Sequence, residues 1–186
     1  IEGRVTLEGN AGLEDLSGLD GLVEVGEWLH IRDNDALLTL EGLEALTQVG
    51  TRGPFDLVIA SNDKLESLTG LGALTSVTGA LFVRDNASLT SMSGVSALPE
   101  AELVVRDNNA MTSLAGLDAL VTLRELQIDD NEDLISLQGL ESVTEIAGDL
   151  SITRNPSLTS VTELDPVSLT ATSLDMIITN NPMLCE

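Results

Sequence analysis

The chain has 186 residues, of which 31 are acidic and 8 basic, giving a formal net charge of −23. Nucleic acid and anionic membrane surfaces would be repelled by such a charge, so neither is expected as a partner, and no segment reads as membrane-inserting. Trp28, Phe55 and Phe82 are the only aromatic residues, so the core must be aliphatic, and the lone Cys185 excludes an internal disulfide.

Taken in order, the chain states one plan again and again. It opens on Ile1-Glu2-Gly3-Arg4, which spells the factor Xa recognition sequence. The register points to another origin: Ile1-x-Gly3-x-Val5-x-Leu7-x-x-Asn10 superimposes on Ile146-x-Gly148-x-Leu150-x-Ile152-x-x-Asn155, column for column. Ile1 therefore reads as repeat sequence entered in mid-turn. A Leu-x-[Ile/Val]-x-x-Asn unit, or a close variant, ends at Asn10, Asn34, Asn62, Asn86, Asn108, Asn131, Asn155 and Asn181. A period in the twenties, rich in Leu and carrying a fixed Asn, is the signature of stacked strand-plus-turn units.

Each column has a physical reading. In Leu-x-Ile the side chains alternate across a short strand, so Leu126 and Ile128 point inward while Gln127 and Asp129 point outward. Strands are expected to centre on residues 5–7, 29–31, 57–59, 81–83, 103–105, 126–128, 150–152 and 176–178. The Asn amides should form one ladder, satisfying backbone groups that buried turns leave unpaired. Gly42, Gly70, Gly94, Gly116 and Gly139 follow the Asn by a constant interval, as expected where the chain needs positive φ. Ser67, Ser91, Ser113, Ser136 and Ser160 read as turn hydroxyls bonded to local backbone, not as nucleophiles. GLEAL (42–46), GLGAL (70–74) and GLDAL (116–120) are expected to form short helical or 3₁₀ turns opposite the strands.

The longest insertion, Gly50–Asp56, leads into the third strand. At the other end, Asn181-Pro-Met-Leu184-Cys185-Glu186 begins a further unit and stops. Solenoids need polar caps, and neither end shows one. The expectation is a single domain over residues 1–186 that is open at both ends, with end-to-end or neighbouring-domain contacts there. A disulfide partner for Cys185 would lie outside this stretch.

The string Leu-x-Ile-x-x-Asn-x-x-Leu-x-x-Leu-x-Gly-Leu-x-x-Leu-x-x-Val-x-Gly resembles the receptor L domain and its bacterial and fungal surface-protein relatives. Residues 74–92 (LTSVTGALFVRDNASLTSM) and 143–161 (VTEIAGDLSITRNPSLTSV) look most like that family. The resemblance covers nearly the whole chain and lies in structural columns. It implies a right-handed β-rich solenoid close to the leucine-rich-repeat class, with about seven turns and a parallel sheet on one face, exported to a cell surface. It carries over no functional residues.

Chemistry is sparse. His30 is the only histidine and no motif places a nucleophile with it. The sequence has no Gly-rich phosphate loop and no Cys/His ligand spacing, so no catalytic residue, cofactor or metal site is assigned. Asp33-Asn34-Asp35 and Asp129-Asp130-Asn131-Glu132-Asp133 carry oxygen donors suited to calcium, yet neither follows EF-hand spacing. Solubility is the preferred reading of the acidic charge. The best enzymatic alternative is a polysaccharide-cleaving β-helix using Asp107, Asp129 and Asp130 on neighbouring strands, since glycoside hydrolysis needs two carboxyl groups at fixed separation. Arg32-Asp33, Arg84-Asp85 and Arg106-Asp107 repeat one outward dipeptide, read first as a solvated ladder of weak ion pairs.

One patch stands out. His30, Val58 and Phe82 share an outward column of three successive strands, with Trp28 just before it and Phe55 in the insertion. Arg32, Arg52 and Arg84 flank the group, and Arg106 extends the arginine row. Trp, Phe and Arg together make the composition of an interface hot spot. The leading reading is a non-enzymatic extracellular binding or adhesion module for a protein or glycan. Trp28, His30, Arg32, Phe55, Val58, Phe82, Arg84 and Arg106 are its candidate partner-binding residues. A structural spacer of a surface protein is the alternative.

Overall fold

The computed structural model describes residues 1–165, 167–169 and 175–184. Its main feature follows from the alternating Leu-x-Ile motif. Parallel strands Val5–Glu8, Leu29–Arg32, Leu57–Ala60, Ala80–Arg84, Glu100–Arg106, Thr122–Asp129, Leu150–Thr153 and Met176–Thr179 lie side by side, each beside the strand of the next turn. All eight expected strand centres fall within them. The chain is a parallel β-solenoid of about seven turns with almost no helix.

Inward residues Leu29, Ile31, Leu57, Ile59, Leu81, Val83, Leu103, Val105, Leu126 and Ile128 are all 0 % exposed. Leucines of the turns, such as Leu37, Leu40, Leu43 and Leu46, close over them from the other side. At ~1.5–3 kcal/mol per buried aliphatic side chain, this continuous column is the main stabilising term. It exists only in the stack, because each turn covers the one before it.

A smaller parallel sheet, Glu24–Val25, Gln48–Val49 and Ser76–Val77, occupies the face reached before a corner leads into the main strand. The asparagine spacing explains why it stops. Successive ladder residues are 24, 28 and 24 positions apart in the first turns, then 22 and 23. In the two short turns the corner is lost and the chain runs on as the long strands Glu100–Arg106 and Thr122–Asp129. Their register slips between Ala101 and Glu102, which leaves Arg124 as the extra residue of a bulge.

The asparagines form the expected ladder. Asn62 is typical: its Oδ1 accepts from the Asn34 backbone N–H at 3.2 Å and from Asn34 Nδ2 at 3.3 Å. Its Nδ2 donates to Ile31 O, Ala60 O and Asn86 Oδ1 at 3.0, 3.0 and 3.2 Å. Asn34, Asn62, Asn86, Asn108, Asn131 and Asn155 are 0 % exposed, so the amides supply partners where water cannot reach.

The left-handed turn belongs to the residue before each asparagine. Gly9, Asp33, Ser61, Asp85, Asp107, Asp130, Arg154 and Asn180 have φ of 71, 57, 54, 56, 55, 57, 56 and 59°. Asp and Asn tolerate that region better than most residues, which accounts for much of the repeated Arg-Asp dipeptide on conformational grounds.

The glycine column adopts positive φ as expected, from 109 to 117° at Gly42, Gly70, Gly94, Gly116 and Gly139. A second reason is close stacking: a Cβ at Gly42 would lie 2.1 Å from Leu16 O of the turn below. This glycine also corrects the reading of GLEAL, GLGAL and GLDAL. Helical propagation requires consecutive right-handed residues, and the glycine interrupts them. The first of these segments is instead a pair of tight turns, with Leu43 N–H to Leu40 O at 3.2 Å and Leu46 N–H to Leu43 O at 2.9 Å. The only helix among the described residues is a 3₁₀ turn, Thr162–Leu164, and none is long and apolar enough to cross a membrane.

The serine hydroxyls do cap local backbone, as at Ser136 Oγ, which accepts from Gln138 N–H at 3.4 Å. Ile1 takes its place in the stack, its carbonyl accepting from Gly26 N–H at 2.8 Å, as the register predicts. Cys185 lies outside the described residues.

Candidate partner-binding face

Parallel pairing in one register turns the outward positions of the main sheet into three columns running along the solenoid. The central one is Thr6, His30, Val58, Phe82, Val104, Gln127, Ser151 and Ile177. The sequence-derived group His30, Val58 and Phe82 therefore does occupy adjacent strands, and Val104, 9 % exposed, extends it. His30, Val58 and Phe82 are half-buried, because neighbours ~4.8 Å apart shade one another even on an open sheet.

The aromatic end is a contact cluster. Trp28 stacks on His30 with ring centroids 5.8 Å apart at 27°, and Phe55 tilts against Trp28 at 5.8 Å and 57°. The insertion places Phe55 through Thr78, whose Oγ1 donates to Gly50 O at 2.7 Å and also to Gly53 O. Arg4 covers the Trp28 ring, its Cζ 5.2 Å from the centroid. Sequence reasoning missed Arg4, although the same register places it directly before Val5 as Trp28 stands before Leu29. Burial and the neighbouring Arg32 cation hold the His30 pKa below its ordinary value, with Asp56 and Glu8 opposing. Phe82 sits farther along the column and makes no ring contact among those described.

The column on one flank is Glu8, Arg32, Ala60, Arg84, Arg106, Asp129, Thr153 and Thr179. Arg32 pairs with Glu8 at 2.9 Å, whereas Arg84 and Arg106 turn to their own neighbours Asp85 and Asp107 at 2.7 and 2.9 Å. The expected ladder is thus mixed. Arg32–Glu8, Arg106–Asp130 at 3.8 Å and Arg154–Asp130 at 2.7 Å cross turns. Arg84–Asp85 and Arg106–Asp107 close within one dipeptide, where the left-handed Asp is carried back beside the preceding Arg. Arg52 leaves the patch and pairs with Glu2 at 2.8 Å.

The column on the other flank holds the residue before the first inward position of each strand: Arg4, Trp28, Asp56, Ala80, Glu102, Glu125, Asp149 and Asp175. This acidic row follows from the register alone, as the residue before each first inward position. Glu102 stands opposite Glu125, and its pKa is raised, first by burial and then by that facing carboxylate, with Arg124 opposing. Arg124 itself is committed elsewhere: its guanidinium donates to Thr78 O, Val77 O and Gly79 O at 2.8, 2.9 and 2.7 Å. It supplies donors to a corner whose next turn brings Pro99, a residue with no N–H.

Asp107, Asp129 and Asp130 are accounted for by partners. Asp129 accepts from Thr153 Oγ1 at 2.5 Å, and Asp130 is held by Arg154 through two bonds of 2.7 Å. The Arg154 hydrogen bonds hold the Asp130 pKa below the carboxylate range. Asp107, Asp130 and Arg154 do line an open depression of about 320 Å³, at the turn beyond the sheet. Among the described residues no group of three or more His, Cys, Asp or Glu could hold a metal ion. Comparison with known family models, curated proteins and solved structures finds no match for this chain.

Proposed function

We propose that the chain is a non-enzymatic binding or adhesion module that recognises a protein or glycan through the exposed face of its main sheet. The observation carrying this reading is the continuous central column from His30 through Val58 and Phe82 to Val104, with Trp28 and Phe55 packed at one end. A surface strip of this kind on an otherwise strongly acidic molecule is what an interface core needs. The family resemblance supports a right-handed leucine-rich solenoid of the receptor L-domain kind, displayed outside the cell.

A spacer role is the second reading, favoured by Arg32, Arg84 and Arg106 each closing on a carboxylate of the chain itself. Replacing Trp28 and Phe82 together by Ser separates the two. Selection on a glycan array and on a displayed peptide library should yield ligands for the natural chain that the double variant loses while its melting is little changed. A large fall in melting temperature with ligand binding intact would make these side chains structural.

A further inference from the structure

The arginines define where the face has charge to spare. Arg32, Arg52, Arg84, Arg106, Arg124 and Arg154 are all in ion pairs, and Arg4 lies on Trp28. Along the acidic column, by contrast, no ion pair among the described residues reaches Asp56, Glu102, Glu125, Asp149 or Asp175. Asp56 accepts only a backbone N–H, from Ala80 at 2.8 Å, and Asp149 one from Asp175 at 3.0 Å. The apolar strip of Val58, Phe82 and Val104 therefore has a border without ion pairs on one side. On the other lies a border where Arg32, Arg84 and Arg106 are each paired and Asp129 accepts only hydroxyl bonds.

We propose that the partner of this face is a short, extended, basic protein segment. Its apolar side chains lie on Val58, Phe82 and Val104, and its Lys or Arg side chains reach Asp56, Glu102 and Glu125. The inference rests on the sheet-face reading and adds the class of partner. Charge complementarity chooses the occupant: an acidic segment or acidic glycan would meet carboxylates that hold neutral donors at most, such as Gln127 Nε2 on Glu125, and find each arginine already engaged. From His30 to Gln127 the column crosses five strands, roughly 19 Å at ~4.8 Å per step, the length of about six extended residues. A cation between Glu102 and Glu125 also relieves the repulsion of two facing carboxylates.

The test is selection of phage-displayed random dodecapeptides on the intact chain, followed by binding measurements with the enriched peptides made synthetically. The peptides should combine Lys or Arg with aliphatic or aromatic residues. Their affinity should fall at least tenfold for Glu102→Gln with Glu125→Gln, and again for Phe82→Ser. It should hold for Glu14→Gln with Glu41→Gln, which removes the same charge from exposed turn positions. A melting curve for each variant reports that it is folded. An equal loss with the turn variant would show general attraction to an acidic chain and overturn the proposal. Enrichment of neutral or acidic peptides, or of nothing, would overturn it as well. If those other ligands are still lost with the Trp28 and Phe82 double variant, the sheet-face reading survives; ligands indifferent to both Trp28 and Phe82 remove that reading too.

Discussion

Replacing Asn86 by Ala removes one rung from the middle of the ladder. Asn86 Oδ1 accepts from Asn62 N–H at 3.1 Å and Asn62 Nδ2 at 3.2 Å, and its Nδ2 donates to Ile59 O at 3.0 Å and Arg84 O at 2.9 Å. The site is 0 % exposed, so water cannot substitute. A buried group left unpaired costs ~1–3 kcal/mol. The Asn62 N–H loses its acceptor outright, while the two carbonyls keep a second lone pair for other donors. The sum comes to about 3–5 kcal/mol, or roughly 6–20 °C in melting temperature for a chain of this size. Asn10 is the control, because it is exposed and its side chain only donates, through Nδ2 to Asn34 Oδ1 at 3.0 Å. Asn10→Ala should cost less than ~1 kcal/mol. Urea unfolding of the two variants beside the natural chain decides the matter. Equal costs at Asn86 and Asn10, or an Asn86→Ala cost below ~1 kcal/mol, would refute the claim that the ladder holds the turns together.

Gly94→Ala should destabilise by more than ~2 kcal/mol in the same assay, since φ is 113° and the new Cβ would meet Leu68 C and O at 2.3 Å. Gly72→Ala, with nothing within 4 Å and no positive φ, should be neutral or stabilise by ~0.4–1 kcal/mol. Arg124→Ala strips donors from three carbonyls of the Val77–Gly79 corner and should cost about 2 kcal/mol, given that the side chain is partly exposed. Hydrogen exchange should quicken around that corner, and Arg124→Lys should recover only part of the loss. Glu102 gives a pH prediction. Its raised folded pKa means that the folded state holds the proton more tightly, so its contribution to stability falls as pH rises through and just above the ordinary glutamate range. Glu102→Gln should therefore melt higher than the natural chain near pH 7, and the difference should vanish in acid; a constant difference across pH would contradict it.

The strand positions and the asparagine ladder were legible because the inward Leu-x-Ile pair and the Asn recur in one register. The same register should have revealed the acidic column, which needs only the residue before each inward Leu. What could not be read was the loss of the corner in the two short turns. Spacings of 22 and 23 residues show that something is missing, but not that two strands fuse into longer ones or that Arg124 bulges out to serve carbonyls two turns away. Turn chemistry misled in one place. GLEAL has helical composition, yet its glycine sits at φ 109° against the turn beneath it, where a Cβ would meet Leu16 O, and that contact is tertiary. The repeated Arg-Asp dipeptides suggest charges arranged across strands. Their Asp is set first by left-handed backbone, and the ion pairs follow from where that backbone carries the carboxylate.

Hydroxyl-radical footprinting tests the central claim most directly, using the chain alone and with the tightest ligand that selection yields. The account predicts that oxidation of Trp28, Phe55 and Phe82 falls on binding. Exposed residues away from this patch, Leu38 and Ile135 on the turns and Met183 near the far end, should react as before. Protection confined to those residues, with Trp28 and Phe82 unchanged, would contradict it.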